Sequence, residues 1–414
     1  MRYGLVTLLF VTSCGPSMPT PTTPKIKLNP GWGTLPASPQ IKETPLFVQS
    51  NGVHVLEGSS EFIASMNGQF GLVLSDQRND IARITELYAQ EVEDFPGTLV
   101  LFTQFQDSAS FSSAYFLPIY NPTSGTGMPA YDRRATFGTR QIEGFVNVQT
   151  LQSHGSNLLD VLTHEITHRH AAYLKALVSS STTPLSLLGR EAAHWHAAFN
   201  SQGSLLEGYH WRESGPGRFV SIDKQSALAP IDLYALGLIA PEELSNLFFI
   251  QNATVESGAA LPASADLPLG TVVRGERIDI SGSDIVAALG PRVPQQTMDV
   301  RFLYLTQPGA VLTSSTVQNE IRAIEQVRLQ LEGHWLEQTS GVGQLRTTQP
   351  KPGQADAETT RDLGQKVEIE ASNCQCDIRA TLVGHSSYFN GLSFILLLFF
   401  FRLCAVKRRK GHSS

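Results

Sequence analysis

His164-Glu165-Ile166-Thr167-His168 constrains this chain more than any other stretch. The pattern H-E-x-x-H has chemical meaning on an α-helix, where positions four apart share a face and both imidazoles meet beside a carboxylate. That is a divalent-metal site with a base next to it. The flanks agree with a helix. Asn157 is placed to cap it, Asp160 falls in its first turn, and Leu158, Leu159, Val161, Leu162, Ile166, Tyr173, Leu174 and Leu177 form an apolar run without Gly or Pro. Only Asp160, Glu165, Arg169 and Lys175 interrupt it with charge, the pattern of a buried helix with a polar notch.

Four cysteines stand at 14, 374, 376 and 404, so the long body between them has no thiol. A disulfide framework and a thiolate metal site are both excluded there, and metal ligands must be imidazoles, carboxylates or backbone oxygens. With 414 residues, 41% hydrophobic and 16% charged, the body has material for one large or two ordinary domains. A net charge of -6, spread along the chain, gives no nucleic-acid surface. The one dense basic run is Lys407-Arg408-Arg409-Lys410 at the far end.

The two ends read as addresses. Met1-Arg2, an apolar stretch from Tyr3 and Val11-Thr12-Ser13-Cys14 resemble a bacterial signal peptide with a lipobox over 1–14, Cys14 being the residue to be lipidated. Residues 15–45, rich in Pro, Thr and Ser, form an extended linker because they lack core-forming side chains. Beyond the body, 349–390 is a polar linker carrying Cys374-Gln375-Cys376, and 391–414 holds a short hydrophobic helix and the basic tail. That helix falls short of the roughly 20 residues of a full span. The tail resembles the C-terminal sorting signals of myxobacterial surface proteins. These ends imply a secreted protein anchored to the cell surface or outer membrane of a bacterium, through an N-terminal lipid, the tail, or both.

Within 46–348, spacing predicts a helix over 78–95, a strand over 98–105, a loop-rich stretch over 120–132, a strand around Gly144 to Val148, and then the H-E-x-x-H helix. Farther on come a helix or turn over 185–200, a strand over 271–280, a short helix at 285–289, a strand at 302–305 and a closing helix over 317–336. This order resembles the zincin peptidases. Roughly residues 98–345 also resemble a group of secreted bacterial proteins in which the H-E-x-x-H helix precedes L-L-G-R-x-x-A-H-W and S-P-L-D-L-Y-L-M-G-L blocks. The counterparts here are Leu187 to Trp195 and the block around Ile231 to Leu238. His170 departs from the group's Trp, His196 from its Ser, and Ala235-Leu236 from its Leu-Met. The resemblance implies an α+β zincin-like domain over 46–348, with an N-terminal mixed-sheet lobe, the H-E-x-x-H helix, and a mostly helical C-terminal lobe. An edge strand of that sheet would bind an extended substrate.

The same resemblance implies Zn2+ on His164 and His168, with Glu165 as general base. The third ligand does not follow the metzincin pattern, since Ala171 holds its Gly position and Leu174 its third His. His194 is the first candidate, and Glu191 is the rival, by analogy with gluzincins. Asp232 and His196 follow. His170, two residues past His168, points off the shared face. Asp232 is a candidate to orient a ligand imidazole, and Tyr234 or His210 to donate to an oxyanion. The expectation is a surface metallopeptidase acting on extracellular protein or peptide substrates. The alternatives are a non-catalytic zincin-fold binding or adhesion protein, and a structural surface protein whose pentapeptide is fortuitous. Retention of Glu165 speaks against a pure binder, which needs no base beside its ligands.

Overall fold

Strands covered on both faces read as near-continuous apolar runs, and Thr98–Thr103 and Gly144–Gln149 are buried throughout. They form the middle of a large sheet. The computed structural model describes residues 47–48, 52–58, 80–105, 114–178, 181–295 and 297–348; the signal, linker and tail assignments at 1–45 and 349–414 lie outside them. The chain divides into Met1–Pro350 and Lys351–Ser414, and every described residue belongs to the first unit.

In chain order the elements begin with β1 (Phe47–Val48), β2 (Val53–Glu57), α1 (Asp80–Glu91), β3 (Thr98–Thr103) and β4 (Tyr115–Pro118). A short hairpin of β5 (Tyr120–Asn121) and β6 (Tyr131–Asp132) leads to β7 (Gly144–Gln149) and helix α2 (Leu158–Thr167). Then come β8 (Lys175–Ala176), β9 (Leu185–Ser186), β10 (Phe199–Asn200), β11 (Tyr209–Gly215), β12 (Arg218–Lys224) and α3 (Pro230–Leu236). The last elements are β13 (Leu247–Val255), β14 (Val272–Ile280), α4 (Gly282–Leu289), β15 (Thr297–Thr306), α5 (Ser315–Gln338) and β16 (Gln344–Arg346).

The sheet has the order β1-β2-β15-β3-β7-β4, with β16 beside β15. β2, β15, β3 and β7 run parallel, and β1 and β4 lie antiparallel at the two ends. Period-two alternation sends Val100, Phe102, Val146, Val148, Val300 and Phe302 to the face covered by α2 and α5. Leu99, Leu101, Phe145, Leu303 and Leu305 go to the face covered by α1, through Ile81, Ile84 and Tyr88. Each such side chain contributes about 1.5–3 kcal/mol when fully buried. β15 enters the centre of the sheet late, so everything from α2 to α4 is an excursion made between two neighbourhoods of one sheet.

That excursion holds a closed five-stranded barrel, β10-β11-β12-β14-β13, cored by Phe199, Trp211, Phe219, Phe248, Ile250 and Val273. It replaces the mostly helical C-terminal lobe expected from the sequence. In β11 and β12, Tyr209, Trp211, Phe219 and Ser221 are buried while Arg212, Glu213 and Ile222 are exposed, and the β11 register is interrupted at His210/Trp211 and at Glu213/Gly215. Gly215-Pro216-Gly217 turns the hairpin, with Gly217 at a φ of 62°. The α+β class stands, with the helices fewer than anticipated. α3 joins the layers, Leu233 and Leu236 packing toward the sheet and Ile231, Tyr234 and Ala235 toward the barrel.

Candidate metal centre

Helix α2 is seated by Leu158, Leu162 and Ile166, spaced four apart against the sheet. That registration leaves His164 and His168 together on the adjoining face. The helix starts from a 3-10 turn, Gly155–Asn157, and the side chain of Asn157 makes no capping bond. It also stops at Thr167, well before the apolar run ends at Leu177. The phenol of Tyr173 donates to the carbonyl of His168 at 2.8 Å, satisfying a helix-end acceptor, while Nδ1 of His168 turns to the carbonyl of Ala171 at 3.1 Å. The expected long helix gives way to a helix end built around a histidine.

His194 arrives on a tight loop. Leu188 bridges Trp195, Gly189 N–H donates to the carbonyl of His194 at 2.8 Å, and Glu191 and Ala192 take φ of 57° and 53°. A second strap fixes that loop from behind: Trp195 N–H donates to the carbonyl of Leu206 at 3.0 Å, and Nδ1 of His164 faces the carbonyl of Leu205 at 3.0 Å. Gly208 closes the strap where a Cβ would lie 2.8 Å from Ser204 Cβ and 2.9 Å from its nitrogen.

The three imidazoles converge. Nε2 of His164 lies 3.0 Å from Nε2 of His168 and 3.3 Å from Nε2 of His194. Each Nδ1 faces a backbone carbonyl, those of Leu205, Ala171 and Arg190, the last at 3.2 Å. A carbonyl only accepts, so Nδ1 carries the proton and Nε2 is left with its lone pair. Three lone pairs directed at one point make a cation site, and these histidines lie close enough together to hold a metal ion. Burial lowers the basicity of all three: His164 falls to about 4, helped by His194 nearby, and His168 and His194 also fall below the ordinary value. The rings therefore remain neutral ligands at physiological pH.

Glu165 is 8% exposed and accepts from the backbone N–H of Phe116 on edge strand β4. Burial pushes its carboxyl up to about 8, against the opposing pull of Arg190 and that N–H. Glu191 stays outside the cluster, its exposed carboxylate 3.2 Å from Nη1 of Arg190. His196 packs against Phe249 of β13, at 4.9 Å between ring centres, and its Nδ1 accepts from Ala198 N–H at 3.0 Å. His170 is buried beside Arg169 and Arg292, away from the tripod. His210 sits on β11 opposite Asp223.

Asp232 does not touch an imidazole. Its Oδ1 accepts from Trp195 Nε1 at 2.8 Å and its Oδ2 from Ala229 N–H at 2.8 Å, so it braces the residue next to His194. Tyr234, two positions on around α3, packs in the barrel core with its phenol toward Arg292. Two neighbours had no assigned role in the sequence. Arg190 donates from Nη2 to Nε2 of His194 at 3.0 Å, and Glu207 accepts from Arg190 Nε at 2.8 Å with Oε1 3.7 Å from Nε2 of His194. Arg190 was visible only as part of a motif, and Glu207 carried no spacing signal at all. The pair also walls a cavity of about 370 Å³ floored by Trp195, Ala197, Ala263 and Ala265.

No family model matches this chain, and no curated protein or solved structure matches it. Among the described residues, no helix is long and apolar enough to cross a membrane.

Proposed function

We propose that the chain is a zinc-dependent peptidase of the zincin type, secreted and held at the bacterial cell surface by the signals at its ends. The observation that carries this reading is the convergence of three Nε2 lone pairs next to a buried glutamate that is itself tied to the edge of a sheet. Tetrahedral zinc with Zn–N bonds of about 2.0–2.1 Å puts its nitrogens about 3.3–3.4 Å apart, close to the spacing of these rings. His164, His168 and His194 would hold the ion, which leaves a fourth position for substrate chemistry. When bound, zinc supplies Lewis acidity and makes water acidic enough to be deprotonated near neutral pH.

The chain's own groups do the rest. Glu165, adjacent in sequence to a ligand, takes the proton of the attacking water and returns it to the leaving amine. β4, antiparallel at the sheet's end, offers an extended peptide a backbone edge beside Glu165. The backbone carbonyls of Leu205, Ala171 and Arg190 fix the three rings in the ligating tautomer.

The test is elemental analysis of the purified protein together with hydrolysis of a mixed peptide library. Near-stoichiometric zinc and cleavage are expected. Glu165→Gln is expected to keep the zinc and lose about 10²–10⁴-fold in turnover. Zinc without hydrolysis in the wild-type protein would leave the non-catalytic binding reading, and no metal in folded protein would remove both.

A further inference from the structure

We infer that Arg190 is the cationic donor of this site, aimed at the carbonyl oxygen that becomes anionic during attack, and that Glu207 positions it; the inference rests on the peptidase reading above. Nη2 of Arg190 ends 3.0 Å from the ring nitrogen of His194 that faces the tripod. A guanidinium has no lone pair to offer and stays protonated, so it is no ligand. It is a donor parked at the rim of the ion's place. Once Nε2 of His194 gives its lone pair to a cation, that acceptor is lost to Arg190, and the same N–H is free for an oxygen at the open position.

The group is held for this task. Glu207 accepts from both Nε and Nη2, so the arginine is anchored through its inner edge while its tip reaches the tripod. Both bonds end on the same carboxylate oxygen, Oε1, so one acceptor fixes the guanidinium at two of its nitrogens. Of the donors suggested by sequence, Tyr234 on α3 is buried in the core with its phenol toward Arg292, and His210 lies on β11 opposite Asp223.

In the step this serves, a water proton passes to Glu165 and the water oxygen bonds to the carbonyl carbon. The C=O π pair moves onto the carbonyl oxygen, where Arg190 donates. On collapse that pair returns, the C–N bond breaks, and Glu165 gives its proton to the amine. Arg190 keeps all its protons. A single donor of this kind is worth about 10²–10³ in kcat.

The experiment uses full-length protein loaded with cobalt(II), whose visible absorption reports on the tripod, titrated with inorganic phosphate as an oxyanion probe. Wild-type protein is expected to bind phosphate saturably. Arg190→Met and Glu207→Gln are expected to bind cobalt with unchanged stoichiometry but phosphate at least 10-fold more weakly, with Arg190→Lys in between. For peptide cleavage, kcat is expected to fall with KM nearly unchanged. Phosphate binding by Arg190→Met at wild-type strength, or none by cobalt-loaded wild type, would overturn the assignment of Arg190 and leave the peptidase reading intact. Failure of the wild-type protein to bind cobalt would overturn both.

Discussion

The indole of Trp195 donates to Oδ1 of Asp232 across 2.8 Å, and this bond ties the loop of His194 to helix α3. Both groups are buried, and the other carboxylate oxygen takes the N–H of Ala229. Removing the acceptor strands three buried donors, the Trp195 indole, the Ala229 N–H and the Ser204 hydroxyl. Asp232→Ala is expected to destabilise the protein by about 2–4 kcal/mol in urea unfolding and to weaken metal binding through the loosened loop. Asp232→Asn keeps one acceptor and is expected to lose less on both counts.

The third ligand can be named by subtraction. His194→Ala is expected to abolish stoichiometric zinc, as is His164→Ala, whereas Glu191→Ala is expected to retain it, because Glu191 is exposed and lies outside the cluster. Elemental analysis of the dialysed variants decides this directly. Zinc lost in Glu191→Ala and kept in His194→Ala would reverse the assignment.

Gly208 sits where the strap behind the tripod crosses Ser201 and Ser204. A methyl group there would press on the backbone nitrogen of Ser204, and the displaced strap carries the carbonyls that receive His164 and Trp195. Gly208→Ala is expected to cost about 1–3 kcal/mol and to raise the dissociation constant for zinc, as measured by chelator competition. A variant with unchanged zinc affinity would show that the strap does not hold the ligands.

His54 on β2 supplies a pH dependence from outside the histidine tripod. It is buried, its Nδ1 pairs with the phenol of Tyr88 at 3.0 Å, and burial brings its pKa from 6.5 down to about 4. The fold therefore prefers the neutral ring: its full contribution is present above pH 6.5, where unfolded and folded chains are both neutral. Between 6.5 and about 4 the unfolded chain binds the extra proton, so stability falls as pH falls, by about 3 kcal/mol in all. Urea midpoints measured across that range are expected to decline, and to decline less in His54→Gln. An equal slope in the variant would assign the acid sensitivity to other groups.

Much of this architecture was legible in residue patterns, and the exceptions have identifiable causes. The runs at 98–103, 144–149 and 272–280 announced strands through β-branched and apolar content, and the amphipathic stripe from Val317 to Trp335 announced α5. The barrel escaped notice because β10 is only two residues long and the hairpin of β11 and β12 puts charge on its outer face. The helix is shorter than its apolar run because the residues past Thr167 fill the barrel-side core as turns and a short strand, so their hydrophobicity reflects burial and not helix. His164, Glu165 and His168 share one helix and carry a local pattern. Arg190 precedes the barrel and Glu207 lies between its strands β10 and β11, and only tertiary folding brings such a pair together.

Two ligands of the tripod stand on a helix seated on the sheet, and the third hangs from the chain that enters the barrel. An ion bound there acts as a rivet through two plates. Any sliding of barrel over sheet shears the coordination geometry, so mechanical integrity of the molecule and competence of its chemistry are lost at the same joint.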